Sequence, residues 1–202
     1  MQPALDASEP IEEPPAQTAV SIAREAPPAQ EDAPLFRLYF LRHAPAGDRA
    51  SWEGPDEARP LTGRGRKRLK ASTKALRDLV GVPDAILSSP YARARETAEL
   101  AAKSLRFTGE VEMNDHLVHG GRAEMLGEIL AGKAGQKDIV LVGHSPDLER
   151  WIAHVTTGRD DLAFLELKKG GVCRVDVREL TPEPRGVIRW ALPPSVLRGL
   201  GE

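Results

Sequence analysis

Two histidines and two arginines stand where chemistry on an anion becomes feasible. Arg42-His43 ends the apolar and aromatic run Phe36-Arg37-Leu38-Tyr39-Phe40-Leu41, and Gly143-His144 ends the run Ile139-Val140-Leu141-Val142. Arg93 lies one turn into a segment that begins Ser88-Ser89-Pro90. Guanidiniums grip phosphate oxygens in a planar fork and keep their charge at any physiological pH. A neutral imidazole between them can attack phosphorus in line, giving a phosphohistidine that water later hydrolyses. A second imidazole, protonated, can offset charge on the equatorial oxygens. Such a site needs neither a metal ion nor a cofactor. A single histidine at a strand end is ordinarily a hydrogen-bonded turn residue, but two at equivalent strand ends, one beside an arginine, point to a function.

The elements that must bring these residues together can be read from periodicity. Phe36–Leu41 reads as a buried strand. Thr62 can cap a helix with Leu69, Leu76, Leu79 and Val80 inward, stopped by Gly81 and Pro83; its basic residues (Arg64, Arg66, Lys67, Arg68, Lys70, Lys74) read as a solvated face. Ala85-Ile86-Leu87 is a second strand, and Ser89-Pro90 reads as a cap and N1 proline before a helix with Ala94, Ala98, Ala101 and Leu105 inward. A weaker strand around Val111–Met113, a helix with Met125, Leu126, Ile129 and Leu130 inward, the strand Ile139–Val142 and a helix opened by Ser145-Pro146 follow. Val172–Val177 and Gly186–Leu192, joined through a turn at 181–186, close the chain as a hairpin. The expected class is α/β: a three-layer sandwich, its sheet mostly parallel with helices on both faces and an antiparallel edge hairpin. In such a sheet ligands gather at the carboxyl ends of the strands. Helical side chains lean toward the N-terminus, so Arg93 should reach back to that rim, whereas Arg95, roughly 200° further round, should face solvent.

The same residues resemble a known family. Leu41-Arg42-His43-Ala44 is similar to the Arg-His signature of the histidine phosphatase (phosphoglycerate mutase-like) superfamily, and Arg59-Pro60-Leu61-Thr62 with Gly65 resembles the next segment of SixA-type phosphohistidine phosphatases. Ser89-Pro90-Tyr91-Ala92-Arg93-Ala94 with Thr97-Ala98, then Val142-Gly143-His144-Ser145-Pro146-Asp147-Leu148, resemble the later blocks in order. Lys169-Gly170-Gly171 and Trp190–Pro194 resemble the family's ending, so the likeness spans residues 36–196. It implies His43 as nucleophile, Arg42, Arg93 and His144 as the phosphate pocket, and Arg59 as a further substrate-binding arginine. The alternative for Arg59 is a surface ion pair with Asp56 or Glu57.

One expected part is missing. Many members carry a carboxylic acid after the third strand that protonates the leaving oxygen, and here that stretch reads Asp115-His116-Leu117-Val118-His119-Gly120-Gly121. His119 is either a substitute acid or a loop residue. An alkoxide leaves poorly without such an acid, typically by a factor of about 100 or more, whereas the imidazole of a phosphohistidine leaves readily. The expected substrate is therefore a phosphohistidine protein, with a small-molecule or nucleotide monoester and a non-catalytic phosphate-binding module as alternatives. Gly143-His144-Ser145-Pro146-Asp147 lacks the second glycine of a G-x-S-x-G elbow. Asp147 is read as a carboxylate suited to a helix N-terminus.

Charge and composition bound the rest. Of 202 residues, 28 are Lys or Arg and 30 Asp or Glu, a net charge of −2. Residues 1–34 hold seven of the 17 prolines and seven carboxylates against Arg24 alone, a net −6 that leaves +4 for residues 35–202. The first 34 residues read as a disordered Pro/Ala/Glu-rich tail that keeps the protein soluble or, alternatively, binds a basic partner, and 35–202 as one domain. A body charge of +4 is too weak for a nucleic-acid face. No stretch approaches the roughly 20 apolar residues of a membrane span, and the N-terminus lacks the pattern of a secretory signal. With the single Cys173 no intrachain disulfide can form. A cytoplasmic monomer acting on a phosphorylated partner is expected.

Overall fold

The computed structural model describes residues 34–121, 123–161, 164–179 and 185–201. The tail expected over 1–34 falls, save for Pro34, outside these residues. Among the described residues six strands form one sheet: β1 (Phe36–Arg42), β2 (Ala85–Ser88), β3 (Glu112–Met113), β4 (Asp138–Gly143), β5 (Val172–Glu179) and β6 (Arg185–Leu192). Their order is β3-β2-β4-β1-β5-β6. The first four run parallel to one another, and β5 joins β1 antiparallel and pairs with β6 as the edge hairpin. The helices are α1 (Gly63–Val80), α2 (Ala92–Leu105), α3 (Met125–Ala131), α4 (Asp147–Thr157) and α5 (Pro194–Leu200).

Alternation along each strand sends side chains to two cores. Leu38, Phe40, Leu87, Ile139, Leu141 and Val175 pack under α3 and α4 through Leu126, Leu130, Leu148, Trp151, Ile152 and Val155. Tyr39, Leu41, Ile86, Val140 and Val142 pack under α1, α2 and α5 through Leu76, Ala94, Ala98, Ala101, Leu105 and Leu197. The three-layer expectation holds. The alanine stripe of α2 is fully buried, which lets that helix lie close on the sheet.

Three details differ from the sequence reading. Helix α2 begins at Ala92 behind Tyr91, so Pro90 precedes the helix instead of opening it; Ser89 Oγ accepts from the Tyr91 amide. Helix α5 was not anticipated, because its seven residues are too few to show a helical period and only Leu197 of its apolar residues is buried, Val196 and Leu200 being exposed. The third strand shrinks to two exposed residues. The turn expected over 181–186 lies mostly outside the described residues. Among the described residues no helix is long and apolar enough to cross a membrane.

The sheet order builds a crevice. β1 and β4 are adjacent, yet α1, which follows β1, covers one face and α4, which follows β4, covers the other. Chain leaving two neighbouring strands in opposite directions opens the sheet at their carboxyl ends. The segment after β1 is tied down there by Thr62, whose side chain caps α1 by accepting from the Gly65 amide and whose amide donates to the Pro45 carbonyl. A Cβ on Gly65 would come within 2.0 Å of that carbonyl oxygen, so only glycine permits this approach.

Candidate active site

The parallel register sets Arg42 opposite Gly143, so the next residue on each strand, His43 and His144, emerges at the same level. The His43 amide donates to the Gly143 carbonyl at 3.0 Å, and the two ring centroids are 5.1 Å apart. His43 is held from the helical side as well, through the Ala44 amide, which donates to Thr97 Oγ1 of α2.

The hydrogen bonds assign the tautomer of His43. Its Nδ1 lies 2.8 Å from the Ala44 carbonyl oxygen. A carbonyl only accepts, so Nδ1 carries the proton and Nε2 keeps its lone pair. Burial, opposed by the Ala44 bond and reinforced by the charges of Arg93, Arg42 and Lys169, pushes His43 from its ordinary 6.5 to about 3. A nucleophile is thereby kept unprotonated at neutral pH. His144, fully buried, has Nε2 2.9 Å from Ser89 Oγ. Burial first, then His43, Arg93 and His119, lowers it to about 2. With only protein groups around it the low value keeps His144 neutral, so the proton expected on the second imidazole would be gained only beside a bound phosphate. The same cations that would hold a phosphate repel a proton until the phosphate's negative charge offsets them.

Arg93 reaches back to the rim as expected and is 1% exposed, while Arg95 is exposed and faces Glu99. The Arg93 guanidinium lies over the Tyr91 ring at 4.9 Å and meets Asp56 twice, Nη1 donating to its carbonyl at 2.8 Å and Nη2 facing Oδ2 at 2.9 Å. Asp56 also takes the Nε of Arg59 at 2.9 Å, while Arg59 Nη1 donates to the Gly47 carbonyl. Burial works to raise the Asp56 carboxyl, but the hydrogen bonds and charges of Arg59 and Arg93 hold it below the ordinary range. Arg59 therefore does pair with Asp56, but at 8% exposure and through a shared carboxylate with Arg93, not on the surface. Arg42 donates from Nη1 to the Leu167 carbonyl. Among the described residues, Arg42 Nε, Arg93 Nε and His144 Nδ1 are buried without a hydrogen-bond partner.

His119 belongs to the same cluster. Its ring centroid is 4.3 Å from that of His144, and its Nε2 lies 3.3 Å from Arg93 Nη2. Gly120 (φ +81°) and Gly121, where a Cβ would meet the His116 carbonyl at 1.9 Å, make the tight turn that presents it. Its Nδ1 is 3.0 Å from Asp147 Oδ2, and Asp147 Oδ1 accepts from the Gly120 amide. Asp147 was expected only to complement a helix end. Asp56 and Asp147 are the residues that sequence reasoning underrated: each reads locally as a partner within its own turn, and only folding turns each toward the rim.

Beside Arg42 the rim opens into a groove of about 910 Å³, lined among others by Ser145, Glu149, Arg150, Phe164 and Glu166. Residues 38–124 match the family model of the histidine phosphatase superfamily (branch 1). An uncharacterised protein of Picosynechococcus sp. is 38% identical over 145 residues, covering 68% of this chain and 82% of the relative. The chain belongs to the histidine phosphatase superfamily. It is accordingly a phosphatase. This histidine phosphatase is similar in fold to the protein histidine phosphatase SixA complexed with tungstate (TM-score 0.69, 21% identity, 80% of this chain and 99% of the other). A structure from Agrobacterium tumefaciens assigned as the phosphohistidine phosphatase SixA follows (0.63, 24%, 78% and 97%). The phosphoserine phosphatase of Entamoeba histolytica shares the fold too (0.57, 14%, 77% and 96%). These likenesses concern the fold.

Proposed function

We propose that this histidine phosphatase removes phosphate from phosphohistidine in proteins, by a metal-independent double displacement on His43. In the first step His43 Nε2 attacks phosphorus, forming the P–N bond while the bond to the leaving nitrogen breaks; that nitrogen takes the bonding pair, and the substrate ring departs as neutral imidazole with its proton on the other ring nitrogen. In the second, water attacks the phosphohistidine, releasing inorganic phosphate and neutral His43. Arg42, Arg93 and His144 gather the phosphate oxygens, Arg93 giving up Asp56 for them, and Arg59 supports the pocket through Asp56. The observation that carries the substrate class is the open groove of about 910 Å³ bordering Arg42. A small ligand is normally enclosed over most of its surface, whereas a phosphorylated side chain on a folded protein needs an open approach. The SixA-like sequence blocks and fold support the same reading.

The test is to assay the full chain on a phosphohistidine protein, phosphoserine and p-nitrophenyl phosphate. Wild type should prefer phosphohistidine by kcat/KM and, when quenched, show an acid-labile, alkali-stable phosphate label that His43→Ala lacks. Turnover surviving in His43→Ala would overturn the nucleophile, and monoesters hydrolysed as efficiently as phosphohistidine would overturn the substrate. A second reading, a small-molecule monoesterase, is favoured by the position of His119 beside the phosphate pocket.

A further inference from the structure

From the geometry around His119 we infer that Asp147 and His119 form a proton relay standing where related enzymes carry a carboxylic acid, which extends this chain's reach to alkyl phosphate monoesters. The inference rests on the phosphatase reading above and concerns only how the leaving group acquires its proton. Asp147 is 5% exposed and commits both carboxylate oxygens to the loop that carries His119: Oδ1 to the Gly120 amide and Oδ2 to His119 Nδ1. A carboxylate at the first residue of α4 satisfies helix-end electrostatics from any orientation toward solvent. Helix capping alone does not require that it be buried against an imidazole of another loop.

The donors and acceptors then define the resting relay. A guanidinium can only donate, so Arg93 Nη2 presents N–H to His119 Nε2, which must be the accepting nitrogen. The proton of neutral His119 sits on Nδ1, directed at Asp147. Among the described residues, besides Arg93 from α2 and Asp147 from α4, the groups facing this ring are Tyr91 before α2 and His144 after β4, with Asp56 behind Arg93. When phosphate oxygens draw the Arg93 donors away, Nε2 is released toward the substrate. A monoester whose second ionisation lies near about 6 arrives partly as its monoanion, and that proton can pass to Nε2. As His43 Nε2 forms its bond to phosphorus and the P–O bond breaks, Nε2–H of His119 protonates the departing alkoxide. The imidazole returns to its Nδ1–H form and can accept a proton from the water that attacks the phosphohistidine. Asp147 acts through His119, as a positioning residue: it sets the tautomer and holds Nε2 toward the reaction.

Asp147→Asn tests this, since one of its two polar atoms becomes an NH₂. With Oδ1 kept by the Gly120 amide, the amide nitrogen faces His119 Nδ1 and favours the opposite tautomer. On phosphoserine, kcat should fall about 100-fold with KM changed less than about threefold, the lower end of the range expected for losing a positioned acid. On p-nitrophenyl phosphate, whose leaving group departs without help, the fall should be about tenfold smaller. His119→Gln should show the same selective loss, and the double variant no further loss. Equal losses on both esters, or none, would overturn the relay. Imidazole ¹⁵N spectra provide an arm independent of turnover. His119 should be Nδ1–H at rest and doubly protonated with orthovanadate, and Asp147→Asn should lose both signatures; an Nε2–H ring at rest would overturn the relay even in an active enzyme. Absence of wild-type turnover on every substrate would instead refute the proposed function, with the spectra still deciding the relay.

Discussion

Mild acid should destabilise this protein through its own catalytic pocket. His43 and His144 are 6% and 0% exposed and stay neutral in the folded state down to about pH 3 and about pH 2. In the unfolded chain each regains its ordinary value of 6.5. The folded values are depressed, so the unfolded chain binds more protons. The stability contributed by keeping these rings neutral is complete above pH 6.5 and is lost as pH falls from 6.5 toward 3. By linkage each ring loses about 2 kcal/mol between pH 7 and pH 5, and the pair about 4 kcal/mol. That is a large share of the roughly 5–15 kcal/mol that stabilises a typical domain. The window separates histidines from carboxylates, whose depressed values act mainly below about pH 5. The assay is urea unfolding followed by circular dichroism at pH 7, 6 and 5 in a buffer free of phosphate and other oxyanions, because a bound anion would favour protonated rings in the native state. The pH dependence should correspond to uptake of about two protons on unfolding at pH 5, and His43→Gln and His144→Gln should each remove about one, whatever their absolute stability. A flat profile between pH 7 and pH 5, or variants that keep the wild-type slope, would refute the argument that the pocket holds both rings neutral.

Other perturbations have equally definite outcomes. Asp56→Asn leaves the buried guanidiniums of Arg59 and Arg93 without their shared negative charge. It should destabilise by roughly 1–3 kcal/mol, less than for a fully buried pair because Asp56 keeps some exposure, and phosphate should raise Tm more in the variant than in wild type; an equal or smaller shift counts against the shared-carboxylate account. Gly65→Ala, which in an ordinary helix would stabilise by roughly 0.5–1 kcal/mol, should lower Tm here because the new Cβ meets the Pro45 carbonyl. A higher Tm would show that the approach is not tight. A chain beginning at Leu35 should keep the kcat/KM and Tm of the full chain, since the composition of residues 1–34 offers little apolar surface to dock. Loss of either would assign those residues a structural role.

The residues of the pocket were legible before the fold because their signals are local. An apolar run ending in Arg-His, another ending in Gly-His and an arginine one turn into a helix follow from strand and helix periodicities that act over a few residues. The two-sided burial of β1 and β4 likewise follows from their continuous apolar stretches, 38–41 and 139–142, and the edge hairpin from its short connection. What the sequence could not contain was the order of strands, because period-two alternation says which face a residue takes and nothing about which strand lies beside it. Only the placement of β4 against β1, with Arg42 opposite Gly143, sets His43 beside His144. Asp56 and Asp147 show the same limit at the level of charge. In sequence each has a sufficient local partner, Arg59 three residues on for one and the end of α4 for the other. A carboxylate turns from such a local role to a distant guanidinium or imidazole only when folding removes water around both groups and makes the long-range pairing the stronger one. Chemistry confined to one turn could be read along the chain, whereas the electrostatics joining 56 to 93 and 119 to 147 were decided by tertiary burial.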